Sequence, residues 1–224
     1  MEDAKHKVAR AALDELPGRG IIGLGSGSTA NLFVEELGAR VRAGLAIVGV
    51  PTSESTRALA TRAGIPLLDD EGPWEIDVNV DGADEVSAAL DLIKGGGAAH
   101  AREKIVNFAA KRNVVIVDAS KLSTRLGERW AVPVEVLPFA HGTTCAHLAR
   151  LGEPRLRVRP EGPVRTDAGN LIYDVAAGPI DDPGRLDRAL RAIPGVVETG
   201  LFVGRADVVL VAEKAGVRRL VRGG

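Results

Sequence analysis

The chain has 224 residues, of which 45% are apolar and 26% are charged, as is typical of globular domains. Lysine and arginine total 29 against 30 acidic residues, so the net charge of −1 gives no electrostatic reason to expect nucleic acid or a membrane surface as a partner. The single cysteine, Cys145, excludes an intrachain disulfide framework and favours a reducing compartment, so we expect a cytoplasmic protein. The N-terminus lacks a secretion-signal pattern, and no run approaches the ~18 apolar residues that span a bilayer.

Short apolar runs alternate with helical patterns through the first half of the chain. The strand-like runs are GIIGLG, LAIVGV, IDVNVDG and NVVIVDAS, and the helical segments are STANLFVEELGARV, SESTRALATRAG and AAHAREKIVNFAAKR. This alternation predicts parallel βαβ units, and hence an α/β fold with an open parallel sheet covered by helices on both faces. Ligand sites in such sheets lie just beyond the carboxyl ends of the strands. The segments at those positions are GSGST, PTSEST, DGADE, KGGG and DASK.

The character of the sequence changes near ERWAVPVEVLPFA, where prolines begin to punctuate the chain. The following strand-like and helical segments predict a small α+β domain at residues 129–202. The last apolar run, ADVVLVAE, is predicted to return to the first sheet, so residues 1–128 plus 203–224 form the other domain. We interpret the basic end, GVRRLVRGG, as an exposed terminal helix.

The segment GLGSGSTA follows the first predicted strand and opens a helix. Read from Gly25 as G-x-G-x-x-A, it is a permitted form of the dinucleotide fingerprint. A dinucleotide site also needs an acid after the second strand, where this chain has Pro51, Thr52 and Ser53. The hydroxyls and amides of residues 26–29 instead favour one phosphate group at the helix N-terminus. The alternative is a tight strand–helix turn with Ser28 as the N-cap.

The segment DGADE places Asp81, Asp84 and Glu85 just beyond another predicted strand. Clustered carboxylates indicate either a D-x-x-D magnesium site or acid–base chemistry. A turn with solvated acids is the third interpretation. Lys94 weighs against a metal, because an ammonium group in the same site would already compensate the carboxylates.

The segment KGGGAAHAREK combines a lysine, three glycines and a helix. Successive N–H groups of Gly95, Gly96 and Gly97 at a helix start predict an anion-binding concavity, to which Lys94 adds a positive charge. Glu103, in the first two turns of that helix, is then a candidate general base. The alternative is a glycine hinge with Glu103 on a solvated face beside charged neighbours.

Two further segments carry candidate functional side chains. Lys121, in VDASK, is placed to hold a phosphate or hydroxyl group, or to lie in water. The segment HGTTCAH contains His141, Cys145 and His147, which superficially resemble zinc ligands. A second ligand pair is lacking in the sequence and the context is helical, so structural roles are favoured for these three residues.

Several long motifs in register carry a family resemblance. They are GSGSTA, VDGADEV, LIKGGGAA, REKIV, VDASKL, VPVEVLPFA, GNLIYDV and IPGVVETGLF. From about Gly23 to about Val211 the chain thereby resembles ribose-5-phosphate isomerase, type A. The resemblance implies interconversion of ribose 5-phosphate and ribulose 5-phosphate in the non-oxidative pentose phosphate pathway, with no metal or organic cofactor. It also implies a Rossmann-like domain, a smaller ferredoxin-like domain, and a homodimer or homotetramer.

The resemblance also assigns residues by position. It makes Glu103 the base and adds Asp81, Asp84 and Lys94 as catalytic residues. The substrate-binding residues that it implies are Ser26, Gly27, Ser28, Thr29, Gly82, Ala83, Gly95, Gly96, Gly97 and Lys121. His100 departs from the usual family pattern beside the base, so we expect its imidazole to change the pH dependence of turnover if it faces the site.

Two other functions stay open. A non-enzymatic sugar-phosphate sensor of the same fold would bind without turnover, and it would normally carry a DNA-binding segment, which we do not recognise in this sequence. A nucleotide-dependent oxidoreductase is disfavoured by the missing acid after the second predicted strand.

Overall fold

The computed structural model describes residues 2–222, which divide into two compact units. The first unit runs to Ala83 and adds Arg102–Lys121 and the chain from Arg205 onward. The second unit comprises Asp84–Ala101 and Leu122–Gly204. The second unit therefore contains the segment predicted as a small domain, residues 129–202, and reaches beyond it at both ends.

Helices and strands alternate along the chain. The helices are α1 (Glu2–Leu13), α2 (Ser28–Arg42), α3 (Glu54–Ala63), α4 (His100–Ala109), α5 (His141–Leu148) and α6 (Pro183–Arg191). The strands are β1 (Arg19–Leu24), β2 (Ala46–Pro51), β3 (Val78–Asp81), β4 (Glu85–Val86), β5 (Leu92–Ile93), β6 (Asn113–Asp118), β7 (Val132–Val136), β8 (Glu153–Leu156), β9 (Val158–Arg159), β10 (Gly162–Pro163), β11 (Leu171–Ala176), β12 (Val196–Thr199), β13 (Leu201–Phe202), β14 (Val208–Glu213) and β15 (Gly216–Val221). No helix within residues 2–222 is long and apolar enough to cross a bilayer.

A six-stranded sheet forms the centre of the first unit, in the order β15-β14-β6-β3-β1-β2. All neighbouring strands run parallel except β15, which is antiparallel to β14. The prediction of an open, mostly parallel α/β sheet is thereby confirmed. From β1 the chain moves first outward to β2 and then back across to β3, so strand order reverses between β1 and β3. Such a switch point opens a crevice at the carboxyl ends of the two strands, where ligands bind in folds of this kind.

Alternating side chains of β1 explain why this sheet has helices on both faces. Ile22 and Leu24 are fully buried in one apolar cluster with residues of α1 and α2, including Phe33. Ile21 points to the other face, where Val106 of α4 packs in a second cluster. A strand places successive side chains on opposite faces, so a continuously apolar run must be covered twice. Each of these buried side chains stabilises the fold by about 1.5–3 kcal/mol relative to exposure.

The basic end of the chain forms strand β15, so the prediction of a terminal helix was wrong. Residues 216–221 pair with the buried strand β14. Arg218 extends from this edge and its Nε donates to Glu213 over 2.7 Å. Pairing with a neighbouring strand outweighs the weak local preference of a short polar segment, and charged side chains are common on such sheet edges. Gly223 and Gly224 lie outside the described residues.

The second unit is an α+β structure built on a four-stranded antiparallel sheet in the order β12-β7-β11-β8. Helix α5 follows β7 and helix α6 follows β11, which gives the β-α-β-β-α-β order of a ferredoxin-like fold. Helix α6 begins where Asp182 accepts a hydrogen bond from the Arg185 amide and Pro183 occupies the first turn. The small α+β domain predicted from the sequence, and the ferredoxin-like fold implied by the family resemblance, are thereby confirmed.

Candidate active site

The loop after β1 presents the N-terminus of α2. The N-cap position is occupied by Gly27, so the alternative in which Ser28 caps the helix was wrong. Ser28 is the first helical residue and is exposed, and Thr29 follows it. The first turn of α2 carries no acidic residue. No carboxylate in this turn compensates the positive end of the helix dipole. The amide and hydroxyl groups at the start of α2 are therefore suited to bind an anion.

Lys5 contributes to this loop, and the sequence analysis did not identify it. Its Nζ donates to Ser28 Oγ over 2.9 Å from helix α1, 23 positions earlier in the chain. Nothing in the local sequence distinguishes Lys5 from the other basic residues of α1. The structure thus adds a cation beside the predicted phosphate loop.

Ser26 lies in a cluster of hydroxyl groups at the ends of β1 and β2. Its Oγ is 2.7 Å from Ser53 Oγ, 2.8 Å from Thr52 Oγ1 and 3.0 Å from Thr56 Oγ1. The sequence predicted Ser26 as a substrate contact, whereas its hydroxyl is engaged here with the turn after β2. The segment PTSEST, which follows the second predicted strand, supplies these partners.

The same hydroxyl cluster holds the backbone of the loop after β1. Thr52 Oγ1 donates to the carbonyl oxygen of Leu24 over 3.0 Å, and Thr56 Oγ1 donates to that of Gly25 over 3.1 Å. Both threonines are fully buried. Because buried hydroxyls need partners, the two βα turns are fixed to each other at the edge of the sheet.

Asp81 ends β3 and is 2% exposed. Its Oδ1 accepts hydrogen bonds from the Ser26 amide at 3.1 Å and from the Gly82 amide at 2.7 Å. The carboxylate therefore joins the loops that follow the two strands of the switch point. Gly82 and Ala83 continue this edge and are half-buried.

The loop after β6 adds Asp118, Ser120 and Lys121. Burial raises the pKa of Asp118, but hydrogen bonds from the hydroxyl and amide of Ser120 and the charges of Lys121 and Lys5 outweigh burial, so this pKa lies below its ordinary value. Asp118 is thus an anion at the end of β6, and the charges of Lys5 and Lys121 stabilise it. Lys121 lies half-buried in a short 3-10 turn.

Glu103 occupies the first turn of α4 and is 4% exposed. The alternative that placed it on a solvated face was wrong. Its neighbour Arg102 instead pairs with Glu54 over 2.8 Å, and this hydrogen bond lowers the pKa of Glu54 below its ordinary value. A carboxylate is rarely buried to this degree without a structural or chemical role.

The glycine segment, defined as Gly95–Gly97, belongs to the second unit, together with Lys94. Gly95 has φ +112°, and a Cβ built there would lie 2.7 Å from His100 Nδ1. A Cβ on Gly96 would lie 2.7 Å from Asp84 Oδ1, whereas nothing lies within 4 Å of the corresponding position on Gly97. The first two glycines are therefore required by close packing. The third is exposed and leaves its backbone open to a ligand.

One acidic and two basic side chains accompany the glycine segment within the second unit. Asp84 Oδ2 accepts from the Gly96 amide over 2.7 Å, so this amide, predicted to bind substrate, is engaged within the protein. Lys94 is 4% exposed, and its Nζ lies 5.6 Å from the centre of the Phe202 ring. His100 is buried with its Nε2 3.4 Å from the carbonyl oxygen of Glu198.

His141 and Cys145 of α5 lie near the core of the second unit, whereas His147 is half-buried. His141 Nδ1 is 2.7 Å from the hydroxyl of Tyr173. Burial, together with Cys145 beside it, raises the pKa of Tyr173 above its ordinary value. Among residues 2–222, no group of three or more His, Cys, Asp or Glu side chains is placed to hold a metal ion.

The predicted residues therefore fall into two groups, one in each unit. The first unit brings the segments 26–29 and 82–83, together with Asp81 and Lys121, to one edge of its sheet, and it also contains Glu103. The second unit brings Asp84 to the glycine segment and also contains Lys94.

Comparison with known proteins shows a family. The profile described as ribose 5-phosphate isomerase A (phosphoriboisomerase A) matches residues 48–216. The ribose-5-phosphate isomerase A of Thermosynechococcus vestitus is 50% identical over 218 residues, which cover 95% of this chain and 92% of the relative. The chain belongs to the ribose 5-phosphate isomerase A family. The resemblance inferred from the motifs is thereby confirmed.

Solved structures of the ribose 5-phosphate isomerase A family extend the match to nearly the whole chain. The enzyme of Methanocaldococcus jannaschii is 45% identical with a TM-score of 0.94, covering 98% of this chain and 99% of its own. A second isomerase, solved in complex with phospho-erythronic acid, is 41% identical with a TM-score of 0.95 and covers 99% of both chains. The profile matches residues 48–216 and so does not include the loop 26–29. The two solved structures cover nearly the whole chain, so the similarity extends beyond the profile range.

Proposed function

We propose that this protein interconverts ribose 5-phosphate and ribulose 5-phosphate through an enediolate. Membership of the ribose 5-phosphate isomerase A family supports the reaction. The structural observation that supports this reaction most directly is the burial of Glu103 in the first turn of α4. A buried carboxylate does not serve solubility, and it is suited to transfer a proton.

The reaction moves one proton between adjacent carbons. Glu103 removes the proton from C2 of the open-chain aldose, and the electron pair passes to the C1 carbonyl oxygen to give an enediolate. Return of the proton to C1, with transfer of the O2 proton to O1, completes the ketose. A positioned base contributes about 10²–10⁴-fold to the rate. Each donor to the developing oxyanion contributes about 10²–10³-fold.

Lys94 and the glycine segment supply the oxyanion donors in this proposal. Asp84 accepts a hydrogen bond from the Gly96 amide, so we assign to Asp84 the role of orienting the segment. The exposed Gly97 amide is then the donor to the substrate. Asp81 relays the hydroxyl proton and assists opening of the furanose ring. Its buried carboxylate already accepts two amides through Oδ1, which fixes the direction of the acid.

The phosphate group binds at the start of α2. The uncompensated helix N-terminus, Ser28, Thr29 and Lys5 support this assignment, and Lys121 adds a second cation on the neighbouring loop. A fixed phosphate would hold the reacting carbons in one position against the base. The relative solved with phospho-erythronic acid binds a phosphorylated sugar acid, and its carboxylate carries charge much as an enediolate does.

One experiment tests the reaction directly. Ribose 5-phosphate is incubated with the purified protein in D₂O containing EDTA and followed by NMR. Ketose formation with deuterium at the reacting carbons is the expected result, and it would establish isomerisation without a metal. Binding without ketose or exchange would instead support a sugar-phosphate sensor. Turnover only after magnesium is restored would make Asp81 and Asp84 metal ligands.

We further propose that the protein acts in the cytoplasm, in the non-oxidative pentose phosphate pathway, as a homodimer or homotetramer. The free thiol of Cys145 supports a reducing compartment. Large apolar side chains on the surface support association, since Ile105 and Phe108 are each 60% exposed on α4. Light scattering after size-exclusion chromatography gives the assembly size, and a monomer would contradict this part of the proposal.

A further inference from the structure

Arg157 is tied to the backbone of the glycine segment. It follows strand β8, and its side chain is 16% exposed. Its Nη1 donates to the carbonyl oxygen of Gly95 over 2.7 Å and to that of Gly96 over 3.2 Å. The first of these carbonyls also accepts the amide of Ala98 at 3.0 Å. One guanidinium group therefore holds two consecutive peptide groups of the segment.

Asp174 of β11 fixes the orientation of that guanidinium. Arg157 Nε donates to Asp174 Oδ2 over 2.9 Å, and Nη2 donates to Oδ1 over 2.5 Å. A carboxylate that accepts two parallel hydrogen bonds locks the plane of an arginine head group. The Nη1 donors then point at the glycine segment, because Arg157 directly follows β8 and Asp174 lies on its neighbour β11.

Peptide geometry converts this contact into an orientation of amide groups. In a trans peptide unit the C=O and N–H bonds point in opposite directions. Holding the Gly95 carbonyl toward Arg157 turns the Gly96 amide away from it, and this amide meets Asp84 at 2.7 Å. Holding the Gly96 carbonyl in the same way turns the amide of the exposed Gly97 away from Arg157.

Where the segment borders a cavity, hydrogen bonds from Arg157 hold its carbonyl groups. A cavity of about 470 Å³ is lined by Gly96, Arg157, Asp174, Trp130 and Arg155, among others. Gly96 is the residue of the segment that lines this cavity, and it offers no side chain to pack there. Arg157 is the side chain that donates to both the Gly95 and the Gly96 carbonyls from this side.

We propose that Arg157, held by Asp174, is a positioning residue that presents the glycine segment to the enediolate oxygen. The inference deepens the proposed function, because it assumes that this segment is an oxyanion site. Lysine cannot replace Arg157, since a single ammonium lacks the planar fork that reaches one carboxylate and two carbonyls at once. The role is distinct from that of Asp84, which holds the opposite side of the Gly95–Gly96 peptide group through the Gly96 amide.

The test compares Arg157→Lys and Asp174→Asn with the parent protein. Arg155→Lys is the matched control, because Arg155 lines the same cavity from β8 with its side chain 81% exposed. The measurements are kcat and KM for ribose 5-phosphate, and inhibition constants for phospho-erythronic acid and for inorganic phosphate. Circular dichroism melting shows that each variant is folded.

We expect Arg157→Lys to lower kcat by about 10²-fold, as a displacement near 1 Å of a reacting group does. Inhibition by phospho-erythronic acid should weaken in parallel, while KM and inhibition by phosphate stay within about twofold. Asp174→Asn should lower kcat in the same direction, and Arg155→Lys should leave it unchanged. A purely structural role would lower stability without this split between the two inhibitors.

The outcomes separate this inference from the proposed function. A parent protein without turnover overturns the isomerase and the inference together. An active parent, with folded Arg157→Lys and Asp174→Asn variants that keep its kcat, overturns the positioning role alone. The same holds if the loss appears only in KM, or equally in Arg155→Lys. Should Arg157→Lys fail to fold, Asp174→Asn keeps the charge of Arg157 and decides the question.

Discussion

Glu103 is the residue on which proton transfer depends in the proposed mechanism. Glu103→Gln keeps the size and hydrogen-bonding capacity of the buried side chain but removes the base. We expect kcat to fall by about 10²–10⁴-fold with KM little changed, because binding energy comes from the phosphate and hydroxyl contacts. Steady-state turnover of ribose 5-phosphate measures both constants.

Glu35→Gln is the control for this change, since Glu35 is an exposed glutamate on α2. It should turn over substrate as the parent does. Should Glu103→Gln retain the turnover of the parent, the base would have to be another group. The same assay repeated across pH with His100→Leu shows whether the buried imidazole changes the pH dependence of turnover.

At the scale of elements, the glycine segment separates a requirement of folding from one of function. Gly95→Ala forces a Cβ to within 2.7 Å of His100 Nδ1 at a φ of +112°, so we expect a loss of about 1–3 kcal/mol in the free energy of unfolding. Gly97→Ala has nothing within 4 Å of its Cβ and should fold like the parent. If substrate approaches the backbone at Gly97, however, the added methyl group should lower kcat/KM by about tenfold or more.

Urea unfolding and steady-state kinetics on both variants check this pair of expectations. A Gly97→Ala variant as active as the parent would remove the Gly97 amide from the oxyanion site. A Gly95→Ala variant as stable as the parent would show that the segment relaxes without strain.

The threonines after β2 donate hydrogen bonds to the backbone of the loop after β1, which is proposed to bind phosphate. Thr56→Val keeps the shape of the buried side chain but removes its hydrogen bond to the Gly25 carbonyl and its contact with Ser26. We expect a loss of about 1–3 kcal/mol in stability, because a buried carbonyl loses its hydrogen-bond donor. A rise in KM should accompany the loss, since the loop binds the phosphate group in the proposed mechanism.

Thr61→Val is the matched control on the same helix. The hydroxyl of Thr61 is exposed and bonds only locally, to the carbonyl of Arg57. It should change neither stability nor KM appreciably. A Thr56→Val variant with reduced stability but the parent KM would mean that the hydroxyl cluster serves the fold and not the phosphate loop.

The elements that the sequence predicted well are those with a local pattern. Alternating apolar runs and helices indicated the parallel sheet, and the polar residues after its strands indicated the candidate site. β15 was missed because its strand conformation depends on pairing with β14, which no local pattern records. Lys5 and Arg157 were missed for a similar reason, since their partners Ser28 and Gly95 lie 23 and 62 positions away.

At the scale of the whole molecule, one acidic side chain connects distant parts of the first unit. Glu15, in the turn after α1, accepts hydrogen bonds from Arg112 before β6 and from Arg219 of β15. Burial raises the pKa of Glu15, but the bonds from Arg219 and Arg112 outweigh it, so this pKa lies below its ordinary value. The ionised form is therefore favoured in the folded state.

The sign of the pH dependence follows from that direction. Above about pH 4.3, the ordinary value for glutamate, Glu15 is ionised in both folded and unfolded chains, and its stabilising contribution is fully present. As the pH falls toward the lower folded-state pKa, the unfolded chain binds a proton first and the contribution is lost. The size at neutral pH should be about 1 kcal/mol, because both arginine partners are partly exposed to solvent.

Glu15→Gln removes the charge and tests this prediction. Urea unfolding should show the variant to be less stable than the parent at pH 7, and the difference should shrink as the pH is lowered through about 4. Glu35→Gln, on the exposed surface of α2, should follow the parent at every pH. A difference between Glu15→Gln and the parent that stays constant down to about pH 3 would mean that shape and not charge stabilises the contact. If Glu15→Gln and the parent were equally stable at pH 7, hydration of the two arginines would stabilise the fold as well as their bonds to Glu15 do.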